Sequence, residues 1–201
     1  MSKKITIIDY GVGNLHSLRK AFGHFGVVTL VSEDADEILG SDAVVLPGVG
    51  SFEAGMRGLK TRRLVEAIKN FAKSGKPVLG ICLGAQLMFT RGYEFGEFDG
   101  LDIIPGKVTH FSDLERGEKI PHIGWNKVAS PGGEIWNQAF YFVHSYILKP
   151  DKNENIFGIT SYGGREFCSV VKNGNIYGTQ FHPEKSGVAW LKLIKSFIDL
   201  V

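Results

Sequence analysis

Three short segments of the chain carry residue types that can do chemistry together. The first is Gly80-Ile81-Cys82-Leu83-Gly84. An apolar run precedes it and a helical pattern follows, the strand–turn–helix setting of a nucleophile elbow with sulfur in place of a hydroxyl. The flanking glycines permit a tight, strained turn that lifts the nucleophile above a sheet. The following helix would point its N-terminus at the sulfur and favour thiolate. The same turn aims the N–H of Leu83 at an oxyanion. The competing reading is a buried structural cysteine. The second segment is Phe181-His182-Pro183-Glu184-Lys185. There His182 has the chemistry of a general base and Glu184 that of a group orienting it. A histidine followed by an acid is common, but beside the elbow it completes the thiol, imidazole and carboxylate of an activated nucleophile. The third segment, Pro47-Gly48-Val49-Gly50, closes another apolar run. It belongs at the edge where open parallel sheets bind ligands, and its glycines either aim a backbone N–H at a substrate oxygen or simply make a turn.

Cys82 and His182 are 100 residues apart, so their meeting depends on the elements between them. The first half alternates strand and helix. Strands are expected at 5–9, 27–31, 43–46 and 77–81. Helices are expected from Asn14, as N-cap, to Gly26; over 34–39; as one or two segments within 53–74; and from Leu83 to Phe89. Leu15, Leu18, Phe22 and Phe25 form one apolar face. This rhythm demands a mostly parallel sheet with helices on both faces. After residue 100 the pattern turns to short β-rich runs at 103–111, 123–129, 140–148, 156–161, 167–172 and 176–181, with Asn173-Gly174 as a hairpin signal. A final helix carries Trp190, Leu193, Ile194, Phe197, Ile198 and Val201 as a packing stripe. The fold class expected is therefore α/β: a single domain over 1–201, an open, mostly parallel central sheet flanked by helices, and additional antiparallel strands in the C-terminal half.

Composition narrows the function classes. Of 201 residues 26 are glycine, about twice the usual share; they cluster at strand ends, where backbone must turn or approach a ligand. A net charge of +2 gives no electrostatic case for nucleic acid or an anionic membrane. No apolar run approaches the roughly 18 residues of a membrane span. The apolar stretch after Met1-Ser2-Lys3-Lys4 is broken by Asp9, far short of a secretion signal. Cys82 and Cys168 make a disulfide framework implausible and a reducing cytoplasm the expected place. Cys168 reads as packing. The chain lacks HExxH and paired CxxC motifs, so no metal site is expected. Tyr10-Gly11-Val12-Gly13-Asn14-Leu15-His16 has His16 where a dinucleotide fingerprint needs a third glycine, and Gly75-Lys76 runs into Pro77 instead of the Ser/Thr of a P-loop. No cofactor is expected. Arg57, Lys60, Arg62 and Arg63 read as a solvated helix face, with a partner surface as the second reading.

Taken together, the segments resemble the class I (triad-type) glutamine amidotransferases over the full length, from Ile7-Ile8-Asp9-Tyr10-Gly11 to the terminal helix. Among these the chain most resembles the glutaminase subunits of imidazole glycerol phosphate synthase. The elbow and His-Pro-Glu are shared across the superfamily. Leu46-Pro47-Gly48-Val49-Gly50, Pro121-His122-Ile123-Gly124-Trp125-Asn126 and Tyr141-Phe142-Val143-His144-Ser145-Tyr146 select the subfamily. The resemblance implies a flavodoxin-like sheet and hydrolysis of L-glutamine through a Cys82 thioester, with His182 as base and Glu184 holding it. It places the oxyanion on the N–H of Leu83 and one from Val49 or Gly50. It assigns the amino-acid end of glutamine to Gln86, Gly48 and the backbone around His144, Ser145 and Tyr146. The ammonia acceptor it implies is a separate (β/α)8 barrel cyclase, met by Asn14, Trp125, Tyr141 and Lys185. It also implies a nearly silent free subunit, activated when the Val49–Gly50 peptide flips.

Three rivals differ in what they require. Relatives feeding a sugar-nucleotide acceptor share the triad, and segment 90–99 is looser against the histidine-pathway pattern. A partner-independent cysteine hydrolase would have no use for Gln86 and the Phe-Val-His-Ser-Tyr block. A non-catalytic relative would normally lack Cys82, His182 or Glu184.

Overall fold

The computed structural model describes residues 3–115, 117–134 and 136–201, apart from the side chains of 188–190. Trp190 of the expected terminal stripe therefore lies outside the described side chains. The first half contains β1 (Ile5–Ile8), α1 (Leu15–Gly23), β2 (Thr29–Ser32), α2 (Ala35–Leu39), β3 (Ala43–Leu46), α3 (Phe52–Thr61), α4 (Val65–Lys73), β4 (Val78–Ile81) and α5 (Leu83–Leu87). The second contains β5 (Phe89–Gly92), β6 (Phe98–Asp99), β7 (Ile104–His110), β8 (His122–Lys127), β9 (Ala139–His144), β10 (Tyr146–Pro150), β11 (Ile156–Tyr162), β12 (Arg165–Asn173), β13 (Ile176–Thr179) and α6 (Gly187–Asp199).

The main sheet runs β2-β1-β3-β4-β13-β12-β10-β7-β5-β6, with β11 on β12. From β2 to β13 every pairing is parallel. Beyond β13 the strands pair antiparallel, apart from β5 with β7. Strands β1, β3 and β4 are buried throughout. Their alternate side chains go to opposite faces, as a period of two dictates. Ile5, Ile7, Val45 and Leu79 meet Leu18 and Phe22 of α1 and Leu193 and Phe197 of α6. Ile8, Val44, Leu46 and Val78 meet Ile38, Met56, Leu59, Ile68 and Phe71 of the helices opposite. The result is three layers with the sheet in the middle.

Local chemistry sets the boundaries. Asn14 caps α1, its side chain accepting from Ser17 N at 3.3 Å. Asp34 caps α2, accepting from the N–H groups of Asp36 and Glu37. Arg63, at φ 57°, separates α3 from α4. Some elements end earlier than their patterns imply. Helix α1 stops at Gly23, so Phe25 packs on the core from a turn. Helix α5 stops at Leu87, and Phe89 begins β5. The run 140–148 divides at Ser145: β9 pairs with β8 in a separate two-stranded sheet and makes a single bridge from Tyr141 to His182, while β10 enters the main sheet. No helix among the described residues is long and apolar enough to cross a membrane.

Candidate active site

The elbow is built by backbone and glycine. Cys82 has φ 51° and ψ −108°, a conformation costly for a side chain with a Cβ. Its N–H donates to Thr179 O at 2.7 Å, and its carbonyl accepts from Gln86 N at 3.1 Å. A Cβ on Gly80 would lie 2.8 Å from Ala85 Cα, and one on Gly84 would overlap the carbonyl oxygen of Leu46. The two glycines therefore let α5 fold back against β4 and β3. Because α5 is only five residues long, its dipole at the sulfur is smaller than that of the longer helix expected.

The His182 imidazole arrives on the neighbouring strand. β13 pairs with β4 in parallel, Thr179 opposite Ile81, so residues just past both strands emerge side by side. His182 N donates to Tyr141 O at 2.8 Å, which pins its backbone to β9. His182 Nδ1 and Glu184 Oε1 are 2.8 Å apart, and both side chains are at most 5% exposed. Glu184 Oε2 is buried with no partner among the described residues. Burial by itself lowers the pKa of His182, but hydrogen bonding to Cys82 and Glu184 and their negative charge outweigh it and push it up to about 10. The structure thus brings Cys82 and the His182–Glu184 pair to one cavity wall.

A cavity of about 410 Å³ opens in front of them, within the range of small-molecule sites. Val49, Gly50, Leu83 and Gln86 line it, with His144, Ser145 and Tyr146 on the opposite wall. Gly50 has φ 110° with open space around its Cα, and Val49 is 45% exposed. Gly48, expected with the substrate, is buried in the stem of this loop, next to the residues that line the cavity. A Cβ there would overlap the Tyr10 oxygen and lie 2.9 Å from Leu83 Cβ. Tyr10 Oη donates to the carbonyl of Pro47, bracing the same stem from below. The expectation at His144 concerned its backbone; its side chain is engaged behind the cavity, with Nε2 3.0 Å from His122 Nδ1. Burial, with the neighbouring His122, lowers the pKa of His144 to about 3, and burial lowers that of His122 to about 4.

Of the residues expected at a partner surface, Trp125, Tyr141 and Lys185 cluster beside His182. The rings of Trp125 and Tyr141 are 6.0 Å apart, and Lys185 Nζ is 5.7 Å from the Tyr141 ring. Trp125 is 55% exposed. Asn14 is occupied as the α1 cap.

Three site residues carried no role from sequence. Glu94 lines the cavity and accepts from Phe52 N at 2.7 Å; it sits in the segment with the least pattern. Gln180 and His122 stand inside segments noticed for other residues. Gln180 is fully buried, with its Nε2 3.9 Å from Cys82 Sγ.

With this geometry in hand, comparison with known proteins is specific. The family described as glutamine amidotransferase class-I matches residues 6–199. Imidazole glycerol phosphate synthase subunit HisH 1 of Legionella pneumophila (strain Paris) is 45% identical, covering 98% of this chain and 99% of the relative. The HisH subunit of Moorella thermoacetica is 44% identical over 99% and 96% of the two chains. That of Chlorobaculum tepidum is 42% identical over 97% and 99%. Among solved structures, PurLQS from Thermotoga maritima superposes with a TM-score of 0.73 at 18% identity, covering 99% of each chain, and so shares the fold. A further glutamine amidotransferase structure gives 0.74 at 14% identity, covering 97% of each chain. The chain belongs to the class-I glutamine amidotransferases, and within them to the family of the HisH subunits of imidazole glycerol phosphate synthase.

Proposed function

We propose that this chain hydrolyses L-glutamine at Cys82 and passes the ammonia to a (β/α)8 cyclase subunit, which makes imidazole glycerol phosphate and an aminoimidazole carboxamide ribonucleotide. The observation that carries the reading is the buried His182–Glu184 pair that shares the wall of the 410 Å³ cavity with Cys82.

His182 takes the thiol proton, and the thiolate attacks the side-chain carboxamide carbon of glutamine. The oxyanion rests on the N–H of Leu83, the first residue of α5 and so free of an intrahelical acceptor. A second donor comes from Val49 or Gly50 once that peptide turns inward. Gly50 suits such a turn because its φ is already positive and nothing crowds its Cα. His182 returns the proton to the leaving nitrogen, which departs as ammonia and leaves a thioester. Water, deprotonated by the same imidazole, then releases glutamate and restores the thiol. Both hydrogens of Gln86 Nε2 are engaged, by Tyr146 O and Gln180 Oε1. Gln86 therefore offers its carbonyl oxygen, an acceptor, and with the Glu94 carboxylate it suits the α-ammonium of the substrate.

Ammonia released to water is lost, so an acceptor must close the cavity. The exposed Trp125 with Tyr141 and Lys185 supplies an aromatic and cationic edge beside His182 for that contact. The place of action is the cytoplasm, consistent with two free cysteines. The three relatives at 42–45% identity all bear the name of the HisH subunit of imidazole glycerol phosphate synthase, which favours that acceptor over a sugar nucleotide.

The test is glutamate release from glutamine by this chain with the barrel cyclase of the same genome, with and without its ribonucleotide ligand, beside Cys82→Ala. Release that needs Cys82, the barrel and the ligand is expected. Equal rates with and without the loaded barrel would remove the activation step, and no release from a barrel-bound protein would redirect the acceptor to sugar nucleotides.

A further inference from the structure

Behind the substrate wall runs a chain of buried polar groups whose direction can be deduced atom by atom. It starts at the carbonyl of Tyr146, which can only accept. His144 Nδ1 lies 3.0 Å from that oxygen and must carry the hydrogen. A neutral imidazole has one N–H, so His144 Nε2 is an acceptor. His122 Nδ1, 3.0 Å from it, must then be the donor. That leaves His122 Nε2 as an acceptor, and Asn126 Nδ2 meets it at 2.8 Å as a donor. Burial, which disfavours the charged form of both rings, keeps them in the neutral state this requires.

The other side of the same carbonyl is ordered too. Gln86 Nε2 donates to Tyr146 O at 3.3 Å and to Gln180 Oε1 at 3.2 Å. With its oxygen fixed toward Gln86, Gln180 must turn its NH2 the other way. That NH2 is the group 3.9 Å from Cys82 Sγ. Flipping the Gln180 amide would set two NH2 groups against each other and an oxygen against the sulfur.

We propose that Gln180 is a further catalytic residue, its amide N–H stabilising the Cys82 thiolate, and that Asn126, His122 and His144 are positioning residues that hold in place the Tyr146 carbonyl, the acceptor from which Gln86, and through it Gln180, take their orientation. The proposal rests on Cys82 as the nucleophile, the reading given above. No atom in the chain needs to move a proton during turnover; it acts as a strut of fixed polarity. Its terminus at Asn126 is only partly buried, while both histidines and both glutamines are buried.

Two measurements on the full chain test this without glutamine or a partner, so they stand even if glutaminase turnover fails. The first is the rate of Cys82 alkylation by iodoacetamide against pH, read by peptide mass spectrometry. The titratable groups facing Cys82 are His182, from the turn after β13, and Tyr10, from the end of β1; Glu184 acts through His182, and Glu94 lies across the cavity. None of them changes in Gln180→Met. That variant should react at least about 5-fold more slowly at pH 7, with the midpoint of its profile moved to higher pH in a protein that circular dichroism shows to be folded across the range, its melting temperature lower because Gln86 loses an acceptor. A merely structural glutamine would leave the midpoint in place, and that outcome would overturn the thiolate contact. The second is 15N NMR of the histidines in the unsubstituted chain, which requires no variant to fold. His122 and His144 should each be protonated on Nδ1 and bare on Nε2. In Asn126→Asp the donor becomes an acceptor, and His122 Nε2 should gain a hydrogen. A hydrogen on His144 Nε2 in the unsubstituted chain, or no change at His122 in Asn126→Asp, would overturn the strut.

Discussion

The Cα of Gly84 packs so closely against Leu46 that a Cβ there would overlap the Leu46 carbonyl oxygen. This contact locks the start of α5 onto the end of β3, so the elbow and the Pro47–Gly50 loop are one rigid unit at their base. Backbone, unlike a flexible side chain, cannot yield to the added carbon. Gly84→Ala should therefore destabilise the chain by about 3 kcal/mol or more and abolish glutamate release. Urea unfolding and a turnover assay on the same preparation check this; a fully active, fully stable Gly84→Ala protein would falsify the packing argument.

Glu184→Gln keeps the size of the side chain and removes its charge. With one of its causes gone, the His182 pKa should fall from about 10 toward its ordinary value. The elevated value means that His182 adds stability in full below about pH 6.5, and this is lost as pH rises through about 10. Unfolding measured from pH 7 to 10 should show a falling midpoint in the unsubstituted chain and a flatter one in Glu184→Gln. Turnover should drop roughly 10⁴-fold, as when a triad carboxylate is neutralised elsewhere. An unchanged His182 NMR titration would remove Glu184 from this role.

The acid side reports a different pair. Unfolded histidines take up protons below about pH 6.5, whereas buried His122 and His144 resist until about 4 and 3. The unfolded state then binds more protons, so stability should fall as pH drops from about 6.5 toward 4. His182 is protonated in both states over that window and contributes no slope. His122→Phe retains an aromatic ring beside Phe142 and Tyr162 and should flatten the acid slope. An identical slope in the variant would mean that other groups set it.

Tyr10→Phe removes the phenol that donates to the Pro47 carbonyl and leaves that buried oxygen without its partner. The expected loss is about 1–3 kcal/mol of stability. The stem of the Pro47–Gly50 loop loosens while the Gln86 side of the cavity is untouched. Turnover should therefore fall with little change in KM for glutamine. A rise in KM at constant turnover would place Tyr10 in substrate binding instead.

Much of this architecture was legible before the fold was known. The glycines around Cys82 announced the elbow because only a residue without a Cβ tolerates such close backbone. The central strands were plain because burial on both faces requires continuous apolar runs. Tertiary context hid the rest. Phe89 fits the apolar face of a helix, yet it enters β5 because β7 offers it a hydrogen-bonded edge. Residues 140–148 look like one strand, and only the different partners of β9 and β10 reveal two. Gln180 and His122 have roles that exist only through neighbours distant in sequence, so no local pattern marks them. Glu94 shares its loop with Glu97, and nothing short of the cavity distinguishes it from that solvated acid.

The parallel insertion of β13 beside β4 also has a consequence for the order of synthesis. Made from the N-terminus, the chain completes β1 to β4 and the cysteine elbow early, with the edge of β4 still open. The base and its carboxylate follow the last of the described strands and dock only when that strand closes the edge. A nascent chain on the ribosome thus holds a thiol with no imidazole to activate it. The site is assembled only once β13 has closed the sheet, so the arrival of that strand doubles as a timer for the chemistry.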